Sequence, residues 1–73
     1  MPLYFTGDAF PGEGITVYRT KNQDDEAVVV QVTDEAGQDY SFGVIQSVAS
    51  DMYDANPKSP LRVTTTDLKE AGY

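Results

Sequence analysis

The residues that could do chemistry in this chain are carboxylates. Asp and Glu outnumber Lys and Arg by 12 to 5, and there is no Cys and no His. Without a thiol or an imidazole the chain has no ready nucleophile, no imidazole base and no soft metal ligand. Carboxylates alone can hold a hard cation, work as an acid–base pair, or dock on a cationic surface. Each of these makes its own demand on spacing.

The densest cluster is Asn22-Gln23-Asp24-Asp25-Glu26. Its oxygens suit calcium or magnesium, but counted from Asn22 the sixth and twelfth positions are Ala27 and Thr33, where an EF-hand loop needs Gly and Glu. Lying between two β-prone runs, it reads more simply as a solvated hairpin tip whose charges discourage edge association. Asp51 and Asp54 stand three apart, so on a helix they share a face. As a glycosidase pair they would need a cleft and a carboxyl removed from water. A domain this small offers little room for one, and the wet side of an amphipathic helix is the simpler reading. Ser and Thr are plentiful, but a nucleophilic Ser without His needs a Lys, and Lys21, Lys58 and Lys69 all fall in polar segments. Gly12-Glu13-Gly14 is no phosphate loop, because no Lys-Ser or Lys-Thr follows it and its Glu repels phosphate.

Of the five tyrosines, Tyr18 is the one that alternation places. In Ile15-Thr16-Val17-Tyr18-Arg19-Thr20 it lies opposite Ile15 and Val17, so it is expected to project from the uncovered side of a sheet. Exposed Tyr beside carboxylates suits a protein-binding patch, since Tyr gives large contact area at low entropic cost. The competing reading is a Tyr at the margin of a small core with its hydroxyl wet.

These residues must be positioned by strands in the first half and a helix in the second. Residues 3–6 form a short β-prone run. Residues 9–14 read as a loop, broken by Pro11 and two Gly. Residues 15–20 alternate, and 26–33 form the strongest strand. Val28, Val30 and Val32 mark one face of it, and Ala27 with Val29 makes the other partly apolar, so it belongs at the centre of the sheet. Residues 34–37 read as a hairpin turn and 38–42 as a further strand. Val44, Ile45, Val48, Ala49 and Met52 then make one helical stripe, with Ser41 or Gly43 as its cap and Asn56-Pro57 as its end. Residues 61–65 read as a last strand, and Asp67-Leu68-Lys69-Glu70 has capping-box spacing for a short terminal turn. The order predicts an α+β fold: a small antiparallel sheet of three to five strands with one main helix packed on one face. The opening of a helix-turn-helix over residues 44–72 is rejected, because Lys58, Arg62 and Lys69 are outweighed there by Asp51, Asp54, Asp67 and Glu70, and the chain stops where a recognition helix would begin.

Length and composition frame this reading. The 73 residues make one small domain, residues 1–73, without repeats or a linker. A chain of this size buries about 60–65% of its unfolded surface. Hydrophobic residues at 40% suffice for a core. With no cysteine, disulfide scaffolds and thiolate zinc are excluded. Met1-Pro2-Leu3-Tyr4 lacks the start of a signal peptide, and no apolar run approaches membrane-spanning length, so a cytoplasmic protein is expected. A net charge of -7 disfavours direct binding to nucleic acid and to anionic membranes.

The expected function is non-enzymatic. An acidic, Tyr-bearing surface, with Tyr18, Asp24, Asp25, Glu26, Asp51 and Asp54 as its contact residues, docks on a basic surface of a larger protein and regulates or inhibits it. Its sharpest form is mimicry of nucleic-acid charge, as in small acidic phage-type inhibitors of host defence. No catalytic residue, cofactor or metal is expected. The alternative is a structural or assembly subunit, a homodimer or larger homo-oligomer joined through a sheet edge or the helix stripe, with acidity serving solubility or adaptation to salt. An enzyme built on carboxylates or a bound divalent ion is the weakest of the three.

Overall fold

The strict alternation of Val28, Val30 and Val32 organises the molecule. In the computed structural model, which describes residues 3–33 and 40–73, these three valines are at most 2% exposed. They lie on strand β3 (Ala27–Thr33), next to β2 (Ile15–Lys21), which in turn neighbours β1 (Tyr4–Gly12). Both pairings are antiparallel. A 14-residue helix, α1 (Phe42–Ala55), leads to a short strand β4 (Leu61–Val63) and a terminal helix α2 (Thr65–Glu70). The four strands stand in the order β1-β2-β3-β4.

The fold is α+β, with a mainly antiparallel sheet and one main helix on one face. It departs from a purely antiparallel sheet at one pair: β4 runs parallel to β3, with Val30 opposite Leu61 and Val32 opposite Val63. The cause is the helix itself. Fourteen residues of helix span about 21 Å and carry the chain back to the end where β3 begins, so the next strand runs the same way.

Register overturns the expected facing of β2. In an antiparallel pair, residues directly opposite share a face. Thr16, Tyr18 and Thr20 lie opposite Val32, Val30 and Val28. The stronger valine face therefore carries them into the core, and Ile15 and Val17 turn outward, half-buried. Tyr18 is only 8% exposed, so it does not project from an uncovered face. Its ring packs 5.2 Å from that of Phe5 and 5.7 Å from that of Phe42. Thr20 is satisfied by donating its hydroxyl to the Val28 carbonyl at 2.9 Å.

β1 is longer than the run at residues 3–6. It continues through Pro11, which pairs with Thr16, and an irregularity between Phe5 and Ala9 takes up the extra residues. β1 is an edge strand, so the missing N–H of Pro11 interrupts nothing. Gly14, with φ 68°, closes the tight turn into β2.

Ser41 caps α1 by accepting from the Val44 N–H at 3.3 Å, and Asn56 ends it. The strand expected over 38–42 does not continue into the described part of that span: Tyr40 and Ser41 belong to no strand, and Phe42 already opens the helix. The turn expected over 34–37 lies outside the described residues. The capping box of α2 also sits three residues earlier than expected. Thr64 is the N-cap and Asp67 its N3 partner: Thr64 N–H donates to Asp67 Oδ2 at 2.9 Å, and Asp67 N–H donates back to Thr64 Oγ1 at 3.3 Å.

Ile45, Val48 and Ala49 of α1 and Leu68 of α2 close the core against the sheet, at no more than 3% exposure. Burying each of the larger aliphatic side chains contributes about 1.5–3 kcal/mol. Leu3 joins the same core and is tied to α1 by its N–H, which donates to Ser50 Oγ at 2.9 Å. No helix among the described residues is long and apolar enough to cross a membrane.

Candidate acidic docking site

The site is built on Asn22, the first residue after β2. Its side chain is almost wholly buried and is used at both ends. Oδ1 accepts from the N–H of Asp24 at 2.9 Å and of Glu26 at 3.0 Å, the Asx-turn geometry for which Asn is suited. Nδ2 donates to Glu26 Oε2 at 3.1 Å and to the Tyr53 hydroxyl at 3.4 Å. The main chain adds Asn22 N–H to Glu26 O at 3.1 Å and Asp25 N–H to Asn22 O at 3.0 Å. The loop between β2 and β3 is thus wound round one amide. Asp25, at φ 60°, makes the reversal that this winding requires.

The bond from Asn22 to Tyr53 ties the hairpin tip to the C-terminal part of α1. Between them lies an open cavity of about 500 Å³, lined by Asn22, Gln23, Asp24, Glu26, Tyr53, Asp54 and Pro57. Three of the residues singled out from the sequence, Asp24, Glu26 and Asp54, therefore meet round one concavity although they come from a hairpin and a helix. Asp25 and Asp51 are exposed but do not line it. Tyr18 lies in the core, away from it. The aromatic residue that does belong to the site is Tyr53, half-buried beside Asp54.

Sequence reasoning did not count Asn22, Gln23, Tyr53 or Pro57 among the contact residues, although all four line the cavity. For Asn22 a signal existed: an Asn opening a polar turn is the residue best able to bond the main chain two positions on. Tyr53 carried no such signal, since only the pairing of hairpin and helix brings it to the loop. Carboxylates, a tyrosine and a proline lining one concavity make a chemistry suited to a cationic side chain of the Lys or Arg kind. No group of three or more Asp and Glu among the described residues is arranged to hold a metal ion. Comparison with protein-family models, with curated proteins and with solved structures found no match to this chain.

Proposed function

We propose that the chain is a non-enzymatic, cytoplasmic binding module that sets its acidic hairpin-and-helix surface against a basic surface of a larger protein and regulates or inhibits it. The observation that carries this reading is the convergence of Asp24, Glu26 and Asp54 round one open cavity with Tyr53 on its wall. A pre-formed concavity with one sign of charge draws an oppositely charged partner and speeds its approach. The rigid loop wound on Asn22 also limits the ordering entropy lost on binding. The sharper form of the proposal is that the partner's surface is one that otherwise holds nucleic-acid phosphates.

The test is capture from host lysate on the tagged protein at low and high salt, repeated with the triple variant Asp24→Asn, Glu26→Gln, Asp54→Asn. One dominant partner, released by salt and lost with the triple variant, is expected. Competition by duplex DNA would then identify mimicry. A partner held equally well by the triple variant would sink electrostatic docking at this cavity.

A further inference from the structure

The face of the sheet turned away from α1 carries the opposite charge. Strand alternation places Arg19 and Lys21 of β2 and Arg62 of β4 on it, three of the five basic residues in the chain. They are the charged residues that this face holds among the described side chains of β1 to β4. The two arginines are also held down on the sheet: the Arg19 guanidinium sits 4.7 Å above the Phe10 ring, and Arg62 Nη2 donates to Gln31 Oε1 at 3.4 Å. Between them lie the half-buried Ile15, Val17 and Val29, and at the β1 edge Tyr4 and Phe10 are 57% and 46% exposed. A sheet face this apolar, whose charges among the described side chains are all cationic, is unusual on a chain of net charge -7.

We propose that this face takes the acidic helix side of a second copy of the same chain, so that copies associate head to tail. Charge complementarity selects this occupant. Among the described side chains of the strands, pairing the face with itself about a two-fold axis sets its three cations against one another. Exposed Asp51 and Asp54 on the opposite layer supply the complementary charge. The net charge does not forbid the contact: at about 0.15 M salt the screening length is about 8 Å, well under the 18 Å shortest extent of the molecule. Each face therefore acts through its own charges. The contact joins two different surfaces, so every added copy leaves one of each free and assembly proceeds to a ring or an open chain. The patch is small. Four strands about 4.8 Å apart, of nine, seven, seven and three residues, present roughly 400 Å², about half of what each partner buries in a standard stable interface. Association is therefore weak and appears at high protein concentration. The contact shares Asp54 with the docking cavity but does not depend on that reading.

Sedimentation of the full chain at about 0.15 M salt, from micromolar to millimolar protein, tests it with two variants, R19E/R62E and D51K/D54K. Wild type should rise past twice the monomer mass with concentration, each variant alone should stay monomeric because its two faces then carry the same charge, and an equimolar mixture should assemble again, because each variant supplies the charge that the other's faces lack. Melting curves confirm folding, and R19Q/R62Q replaces R19E/R62E if the charge reversal unfolds the sheet. A wild type that stays monomeric at millimolar concentration, a mixture that stays monomeric, or R19E/R62E that assembles like wild type would overturn the proposal. So would a monomer that binds oligothymidylate through this face, which would assign it to single strands instead. R19E/R62E should still capture a basic partner, so failure here and failure of the docking reading are separable.

Discussion

Asn22 Nδ2 lies 3.4 Å from the Tyr53 hydroxyl, joining the hairpin tip to α1 across 31 positions of the chain. This contact is the outer end of a network in which Asn22 also satisfies two loop N–H groups and the Glu26 carboxylate. The loop geometry and the seating of the loop against the helix thus pass through one side chain.

Truncating that side chain should cost more than removing its outermost partner. Asn22→Ala strands two main-chain donors and is expected to lower stability by about 1–3 kcal/mol. Tyr53→Phe removes one long, partly solvated bond and should cost less than about 1 kcal/mol. Urea denaturation of both variants checks the order. Equal losses would mean that the amide's work is done at the helix and not in the loop.

Asp25 was singled out for its charge, yet its backbone is what the loop uses. At φ 60° a β-branched residue is strained by about 1–2 kcal/mol. Asp25→Val should therefore lower stability by about that amount, whereas Asp25→Gly should fall no more than about 0.5 kcal/mol below wild type. Thermal melts of the pair decide. A harmless Asp25→Val would show that the reversal at residue 25 is not required.

Patterns confined to one element were legible in the sequence: the valine alternation of β3, the apolar stripe of α1, its end at Asn56 and its start to within Ser41 or Gly43, of which Ser41 is the cap. Relations between elements were not. The facing of β2 could not be read from residues 15–20 alone, because Ile15 and Val17 look like the core side until β3 is laid beside them. The parallel placement of β4 follows from the helical crossover, which spacing does not order. The acidic residues of the site were visible as types, but that Asp24, Glu26 and Asp54 share a cavity while Asp51 stands outside it depends on the docking of hairpin on helix. Tyr53 was hidden for the same reason.

The burial of Tyr18 separates two roles that composition left mixed. Its ring belongs to a triad with Phe5 and Phe42, so Tyr18→Ala should cost about 3–5 kcal/mol, enough to unfold a domain of this size. Among the described residues its hydroxyl has no hydrogen-bond partner, so Tyr18→Phe should shift stability by less than about 1 kcal/mol and leave partner capture unchanged. Loss of capture in a folded Tyr18→Phe protein would return Tyr18 to the binding surface.

Two adjacent threonines make a sharp control for the start of α2. Thr64 closes the capping box with Asp67, while Thr65 is the first helical residue. Thr64→Ala should lower stability by about 1 kcal/mol, which for a domain of this length is a fall of roughly 4–8 °C in Tm. Thr65→Ala should change little. Similar losses at both positions would argue for general helix propensity over the cap.

The carboxylates that suit the cavity to a cationic partner should also weaken the free fold. With 12 acidic residues against 5 basic ones, mutual repulsion opposes compaction, and added salt screens it. Raising NaCl from about 0.01 to 0.5 M shortens the screening length from about 30 Å to under 8 Å, so Tm should rise. Asp24→Asn removes one like charge from the cavity rim and should stabilise by a few tenths of a kcal/mol, about the size of a single like-charge pair on a surface. The same change should weaken capture of a basic partner, placing stability and binding in opposition at one residue. A Tm that falls as salt is added would mean that these carboxylates are held in attractive pairs, and the acidic rim would then be part of the fold's own support and not a surface kept for another molecule.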